Sequence, residues 1–192
     1  MATQPATTGL TYDDLQKFPE DNLRRELIDG ELIVTAAPST RHQRAVAFLI
    51  VGFGLYARED RGEVFPAPTD VYFSHTNVVE PDVLFVRGDH AERVERKFIR
   101  SAPDVVVEVS SPSTRRLELV RKRELYERFG VPEYWYVDLD ADRIEVYRLE
   151  EGRYVTPALL GRGERLTSPL LPGFGVGVDE VLGAPEEETV DG

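Results

Sequence analysis

Two acidic residues mark the ends of two apolar runs in this sequence. Glu108 follows the β-branched run Val105–Val107, and Asp82 precedes the run Val83–Val86. A carboxylate in a buried strand is costly unless a cation or hydrogen-bond donors compensate it. If the two runs form neighbouring antiparallel strands, the start of one lies against the end of the other, so the two acids meet at one edge of a sheet. Two clustered carboxylates predict a hard-cation site, and Lys122 in the following basic segment is placed to join them.

A cation held by such a pair would suit phosphoryl chemistry. Mg²⁺ prefers oxygen ligands and keeps several waters that a substrate phosphate can displace. The bound ion neutralises phosphoryl charge and lowers the pKa of a water molecule. A neighbouring lysine can orient or deprotonate that water and stabilise charge in the transition state. The hydrolysis of a phosphodiester needs these parts and little else.

Both acids also have an ordinary structural explanation. Asp82 follows Pro81 and could be a turn acid that precedes a strand. Glu108 could form an ion pair with Arg115 or Arg116, since an isolated acid in a buried strand is rare without a partner.

Lys122 and His42 have alternatives of the same kind. Lys122 follows Glu118 by four residues, which is the spacing of an ion pair on a solvated helix face, and the residues alone favour neither interpretation. His42 could contact a substrate phosphate, assist proton transfer, or cap and pack locally, and the last is the commonest role of a lone histidine.

The elements that must position these residues alternate between strands and helices. Asp29-Gly30 between two apolar runs predicts a β-hairpin, because a type I′ turn needs a positive φ at both central residues. Apolar residues at three- and four-residue spacing predict a helix from about Ser39 to Asp60, with a packing stripe of Ala45, Phe48, Leu49, Gly52, Leu55 and Tyr56. Further strands are predicted near 63–65, 70–73, 82–86, 104–109, 134–137, 144–147 and 174–178, and helices near 11–18, within 88–100 and at 114–129.

This alternation predicts one α/β domain with a central mixed β-sheet flanked by helices. The domain is expected over residues 11–183, because no repeat, low-complexity linker or break in composition divides the chain. Residues 1–10 are predicted to form a flexible N-terminal arm, and residues 184–192 a disordered acidic tail.

The composition limits the classes of function and partner. A content of 41% hydrophobic and 30% charged residues in 192 is typical of a globular protein, and the absence of cysteine excludes disulfides, thiolate zinc sites and cysteine nucleophiles. A net charge of -12 argues against a general nucleic-acid coating protein, so a DNA-binding surface would have to be a local patch. No apolar stretch has membrane-spanning length and the N-terminus does not resemble a signal peptide, so we predict a cytoplasmic protein with no membrane partner.

The ordered set of motifs resembles the bacterial Uma-type family within the PD-(D/E)XK, restriction-endonuclease-like superfamily. The similarity covers about residues 12–182. Its matching pieces are Glu-Leu-Ile-Asp-Gly at 26–30, Arg41-His42-Gln43, Pro81-Asp82, Glu108 with the following Ser-Ser-Pro-Ser-Thr-Arg, Lys122, and Gly130-Val131-Pro132-Glu133-Tyr134-Trp135. One position departs from the superfamily, whose lysine stands two residues after the acid, where this sequence has Ser110. The resemblance implies that Lys122 replaces it from the following helix.

The resemblance implies a restriction-endonuclease-like fold and a Mg²⁺-dependent endonuclease that hydrolyses DNA phosphodiester bonds. Asp82 and Glu108 would hold Mg²⁺, or Mn²⁺ in its place, with the Val109 carbonyl as a further ligand. Lys122 would position or activate the attacking water.

Glu26 and His42 would assist at the same site, although Glu26 is otherwise a surface strand acid. Restriction-like nucleases often work as symmetric dimers, so a homodimer is a further expectation. Two other functions use the same residues. The first is a non-catalytic binding or regulatory module that keeps the fold, and the second is a metal-dependent hydrolase of small phosphoesters.

Overall fold

The computed structural model describes residues 9–19, 21, 23–35, 37–58, 61–111 and 117–184, apart from the side chain at position 118. The described strands are β1 (Arg24–Ile28), β2 (Glu31–Thr35), β3 (Gly62–Pro66), β4 (Val71–Ser74), β5 (Asn77–Val79), β6 (Val83–Arg87), β7 (Ile99–Arg100), β8 (Val105–Val109), β9 (Glu133–Asp138), β10 (Arg143–Glu150), β11 (Arg153–Tyr154), β12 (Ala158–Gly161), β13 (Arg165–Leu166) and β14 (Val176–Gly177). The helices are α1 (Tyr12–Leu15), α2 (Thr40–Ala57), α3 (Arg123–Arg128) and α4 (Val178–Leu182), with a 3₁₀ helix at Gly88–Arg93 and a π-helical segment at Leu117–Lys122.

A central mixed sheet carries the strands of the predicted site. Its order is β11-β10-β9-β8-β6-β3, with β12 also paired to β10. Strands β8 and β9 are parallel, whereas β6 is antiparallel to β8 with Val83 opposite Val107. The predicted antiparallel pairing is therefore confirmed. It brings the start of β6, where Asp82 lies, against the end of β8 at Glu108.

Each face of this sheet is covered by a different layer. Side chains alternate along a strand, and Val105, Val107 and Val109 face one core, which is completed by α2 and α4. Val106 faces the other core, which contains side chains from α3 and from the second sheet. Glu108 shares the parity of Val106, so the alternation directs its carboxylate toward α3 and the second sheet. The α/β class with helices flanking a mixed sheet is confirmed.

A second, five-stranded sheet has the order β2-β1-β5-β4-β7 and presents Glu26 to the central sheet. The predicted hairpin is confirmed, with positive φ angles of 52° at Asp29 and 75° at Gly30. The side-chain carbonyl of Asn77 on β5 accepts a hydrogen bond from the Asp29 backbone N–H at 2.9 Å, which ties the turn to the neighbouring strand. Strands β5 and β7 were not predicted from the sequence, because they contain only three and two residues.

Helix α2 was predicted in the right place but with a rotated packing stripe. The Ser39 hydroxyl accepts a hydrogen bond from the His42 backbone N–H at 3.2 Å and caps the helix. The fully buried apolar residues are Ala45, Val46, Leu49 and Phe53, and Phe48 and Tyr56 pack partly against the same core. The assignment of Leu55 to the stripe was wrong, since this side chain is 56% exposed.

Several other predicted elements are shorter than expected or lie partly outside the described residues. The helix at Thr11 has its capping box, with the Thr11 N–H donating to the Asp14 carboxylate at 3.0 Å, but it ends at Leu15. The predicted helix at 114–129 is described from residue 117 onward. Residues 1–8 of the predicted arm and 185–192 of the predicted tail lie outside the described residues, and the domain boundaries stay a prediction. Within the described part of the chain, no helix is both long and apolar enough to cross a bilayer.

Candidate active site

A buried pair of carboxylates from the two sheets forms the centre of the site. Glu108 on β8 and Glu26 on β1 are both 0% exposed. The Lys122 ammonium joins them, with Nζ at 2.7 Å from Glu26 Oε1 and 2.9 Å from Glu108 Oε1. Lys122 is itself only 2% exposed, so its side chain extends into the protein. The alternative of a solvated helix-face lysine does not describe this geometry.

Helix α3 contributes a second group to Glu108. Tyr126 lies one helical turn after Lys122, and residues four apart share a helix face. Its hydroxyl donates a hydrogen bond of 2.6 Å to Glu108 Oε1, the oxygen that also contacts Lys122. Ser110, at the position where the superfamily carries its lysine, accepts a hydrogen bond from the Leu139 backbone N–H at 2.8 Å, which gives it a structural role.

Asp82 lies beside this pair and is held by three groups from different elements. The Val109 backbone N–H donates to Asp82 Oδ2 at 2.8 Å, which fixes the carboxylate against the end of β8. His42 Nε2 lies 3.1 Å from the same oxygen, and Arg24 Nη1 donates to Asp82 Oδ1 at 2.8 Å. The turn-acid explanation of Asp82 is therefore incomplete, because the side chain is buried and fully engaged.

The structure brings together the five residues whose side chains were predicted to form the site. Glu26, His42, Asp82, Glu108 and Lys122 form one connected set of hydrogen bonds and ion pairs, completed by Arg24. The remaining alternative for Glu108, an ion pair with Arg115 or Arg116, lies outside the described residues.

Arg24 is the principal residue that the sequence reasoning missed. Besides Asp82, its guanidinium contacts Glu26 at 3.5 Å, Glu108 at 3.7 Å and Glu80 at 3.8 Å. The signal was the spacing Arg24-x-Glu26 at the start of the hairpin, because residues two apart on a strand point to the same face. Tyr126 was also missed, although it follows Lys122 by four residues, and that spacing places two side chains on the same helix face.

The charges of the cluster are shifted by burial and by one another. Burial opposes the ionisation of Asp82, but the His42 hydrogen bond and the Arg24 charge outweigh it and lower the pKa of this carboxyl. Burial likewise opposes ionisation of Glu26, and the Arg24 and Lys122 charges outweigh it and lower its pKa. For Glu108, burial dominates and raises the pKa.

Burial and neighbouring charges also shift the pKa values of Lys122 and Glu80. Burial lowers the pKa of Lys122, but the Glu108 and Glu26 charges outweigh it, so the net shift is upward and the ammonium stays protonated at neutral pH. Burial raises the pKa of Glu80 to about 7, although the Arg24 charge opposes the shift.

A cleft of 540 Å³ opens onto this cluster. Arg24, His42, Glu80, Asp82 and Lys122 are among its lining residues, so the cluster is reachable from solvent, whereas Glu26 and Glu108 are fully buried and do not line it. A larger cleft of 980 Å³ lies against α3, β10 and β11, and none of the predicted site residues lines it.

The donor set suits a divalent cation of the hard class. Four carboxyl groups, from Glu26, Glu80, Asp82 and Glu108, lie around the guanidinium of Arg24 and the ammonium of Lys122, and Mg²⁺ prefers such oxygen ligands. Among the described residues, Glu26 Oε2 and Glu108 Oε2 are buried without a hydrogen-bond donor. No group of three or more His, Asp or Glu side chains in the described ranges is arranged to hold a metal by itself. A cation here would therefore need backbone, water or substrate oxygens as well.

Two arginines near Lys122 are paired with acids of the β1–β2 hairpin. Arg121 pairs with Glu31 at 2.8 Å, and Arg128 pairs with Asp29 at 2.8 Å. The Arg123 guanidinium stacks on the ring of a buried tyrosine of β10. The aromatic residues of β9 and β10 are buried and pack within the sheet layers: Tyr134, Trp135, Tyr136 and Tyr147.

Comparison with known proteins defines the class. A crystal structure described as a putative nuclease belonging to DUF820 from Anabaena variabilis is similar to this chain with a TM-score of 0.76 at 18% sequence identity, covering 90% of this chain and 97% of the other. This similarity and the mixed sheet establish an α/β protein with the restriction-endonuclease-like fold. No curated relative matches the sequence significantly.

The family follows from a match over most of the sequence. The chain belongs to the Uma2 family, described as "Putative restriction endonuclease", whose model matches residues 11–179. The predicted family and fold are confirmed. Membership supports a nuclease-like function and implies nucleic acid as the class of substrate.

Proposed function

We propose that the protein is a divalent-metal-dependent endonuclease that hydrolyses DNA phosphodiester bonds in the cleft beside Asp82. The observation that carries the proposal is the meeting of Asp82, Glu108 and Lys122 at one sheet edge, reached from a cleft of 540 Å³. Membership in a nuclease-like family supports the same chemistry.

Asp82 and Glu108 would hold Mg²⁺, or Mn²⁺ in its place, with the Val109 carbonyl as a further ligand. The lowered pKa of Asp82 supports this role, since the carboxylate is ionised at neutral pH. When bound, such an ion supplies charge neutralisation at the phosphate and a more acidic water.

Lys122 would orient the attacking water and stabilise negative charge on the phosphate. Its raised pKa favours this electrostatic role over removal of a proton, because the amine is protonated at neutral pH. Glu26 and Glu108 would set the position of the ammonium through their contacts of 2.7 and 2.9 Å. His42 would orient Asp82 through the 3.1 Å contact between Nε2 and the carboxylate.

The experiment is cleavage of supercoiled, linear and single-stranded DNA by the purified full chain with Mg²⁺ or Mn²⁺, and with a chelator as the metal-free arm. We expect nicking that needs the metal and that Asp82→Asn and Lys122→Met each reduce by at least about a hundredfold. Asp89→Asn, which removes an exposed acid beside the far end of β6, is the matched control and should cleave as the wild type does. Equal cleavage by the wild type and Asp82→Asn would reject the proposal.

A small phosphodiester is the second candidate substrate. The cleft volume falls in the range of small-molecule sites, and the net charge of -12 opposes an extended DNA surface. Metal-dependent hydrolysis of a nitrophenyl phosphodiester without cleavage of any DNA form would select this candidate. Absence of both activities, with no effect of Mg²⁺ on melting, would select a non-catalytic module instead.

A homodimer and a cytoplasmic location remain part of the proposal. Light scattering of the purified chain tests the first, since a monomer at every concentration would reject it. Cell fractionation tests the second.

A further inference from the structure

The guanidinium of Arg24 lies against the same carboxylates that are proposed to bind the metal. It contacts Asp82 Oδ1 at 2.8 Å and Glu108 Oε2 at 3.7 Å, and these two oxygens belong to the two proposed ligands. It also lies 3.5 Å from Glu26 and 3.8 Å from Glu80. One side chain therefore serves as the counter-ion to four acids.

Arg24 differs from Lys122 in how firmly it is held. Both residues line the cleft, but the Lys122 side chain is 2% exposed and makes two short contacts, whereas the Arg24 side chain is 22% exposed. Only one of its contacts is a short hydrogen bond, and its Nε is buried without a hydrogen-bond acceptor within the described residues. A partly exposed side chain that is held by one short hydrogen bond costs less to displace than a buried amine that is held by two short contacts.

We infer that Arg24 is a built-in counter-ion that a divalent cation must displace, so that the arginine and the metal bind the carboxylates in competition. This inference rests on the proposed metal-dependent function and adds to it a residue that sets the metal affinity. Like charges confined beside the same carboxylates repel, and the repulsion is strong where water is partly excluded. The cation thus replaces a bound arginine and does not bind to carboxylates that were free beforehand.

A purely structural role for Arg24 predicts the opposite effect of its removal. If Arg24 only kept Asp82 and Glu108 in place, its loss would loosen the ligands and weaken metal binding. If it competes with the metal, its loss strengthens metal binding even when the metal-free protein becomes less stable. The sign of the change in affinity therefore separates the two roles.

The test is titration calorimetry with Mg²⁺ and with Mn²⁺ on the full chain, supported by melting temperatures with and without metal. Arg24→Gln should bind the metal at least about tenfold more tightly than the wild type, because one competing positive charge is removed. Arg24→Lys retains that charge and should stay within about threefold of the wild type. The matched control is Arg25→Gln on the same strand, whose guanidinium pairs with Asp21 at 2.6 Å and not with the proposed ligands, and its affinity should change by about twofold or less.

The outcomes of the inference and of the proposed function are distinct. A wild type that binds metal and cleaves DNA, with Arg24→Gln binding equally or more weakly, overturns the inference and leaves the function standing. Metal binding by Arg24→Gln alone supports the inference while rejecting the wild type as an active enzyme. No binding by any folded variant rejects both.

The variant remains informative if it fails to fold without metal. In that case, recovery of the native circular dichroism on addition of Mg²⁺ supports displacement, provided that Arg25→Gln shows no comparable change. Failure to recover at any metal concentration overturns it.

Discussion

Replacing Lys122 with methionine removes the ammonium that joins two fully buried carboxylates. Methionine is unbranched and similar in length, so the apolar stem keeps its packing and the change is mainly electrostatic. Glu26 and Glu108 then keep only the longer Arg24 contacts of 3.5 and 3.7 Å as compensation by a cation. The prediction concerns stability and holds whether or not the protein is an enzyme.

The expected loss follows from the cost of an uncompensated buried charge. Breaking a buried ion pair from one side costs about 3–5 kcal/mol. Because Arg24 and the Tyr126 hydrogen bond partly compensate the two acids, we expect the lower end, about 3 kcal/mol. In a chain of this size that corresponds to a fall in melting temperature of roughly 6–12 °C.

The loss should also depend on pH with a defined sign. Without the ammonium, burial of Glu26 is opposed chiefly by Arg24, so the pKa of Glu26 in the folded variant is higher than in the folded wild type. The variant therefore loses less stability than the wild type as the pH falls, and its deficit shrinks from neutral pH into the acidic range.

Urea denaturation provides the measurement. Trp135 is the single tryptophan and is completely buried, so its fluorescence reports unfolding of the central sheet. The control is the double variant Lys122→Met with Glu26→Gln, which removes one of the stranded charges and should recover about 1 kcal/mol or more. A single variant within about 0.5 kcal/mol of the wild type at neutral pH, or a deficit independent of pH, would refute the reasoning.

Three further changes test the surroundings of the site. Burial raises the pKa of Asp70 to about 6, so its ionisation costs folding free energy that accrues between about pH 4 and about pH 6. Asp70→Asn should therefore be more stable at neutral pH by about 1 kcal/mol, a value that is reduced because the side chain is partly exposed. The variant should show no gain in stability below about pH 4, and an equal gain at low pH would contradict this cause. Gly52→Ala should lose about 1–3 kcal/mol in urea denaturation, because its Cβ would lie 2.7 Å from Val176 Cγ1, whereas Gly54→Ala on the same helix has open space and should lose no stability. Ser39→Ala removes the cap on the His42 N–H and should lower the melting temperature by the equivalent of about 1 kcal/mol, and no change would show that the cap is dispensable.

The central geometry could be predicted because it depends on local patterns. One acid stands at the end of an apolar run and another at the start of a second run. If the two runs are antiparallel neighbours, the two acids must lie close together. The Asp-Gly hairpin was predictable for the same reason, since the positive φ requirement is a property of the turn itself.

Contacts between distant segments could not be predicted in this way. The burial of Phe53 in place of Leu55 depends on Phe174, which stacks on the Phe53 ring at 4.7 Å and comes from near the other end of the chain. Strands as short as β5 and β7 carry no periodicity, and their pairing is set by the segments beside them. Residue spacing could have placed Arg24 and Tyr126 at the site, but only after the second sheet and α3 were known to face Glu108.

The hydrogen-bonded cluster is assembled from segments that ribosomes produce at different times. Roughly 100 residues separate Arg24 on β1 from Tyr126 on α3, and synthesis of that length takes on the order of 5–20 s. A nascent polypeptide therefore carries the early acids long before the lysine and tyrosine that complete their arrangement have been translated. The buried cluster is complete only when α3 has been synthesised and has docked, because α3 carries Tyr126 and follows Lys122 directly.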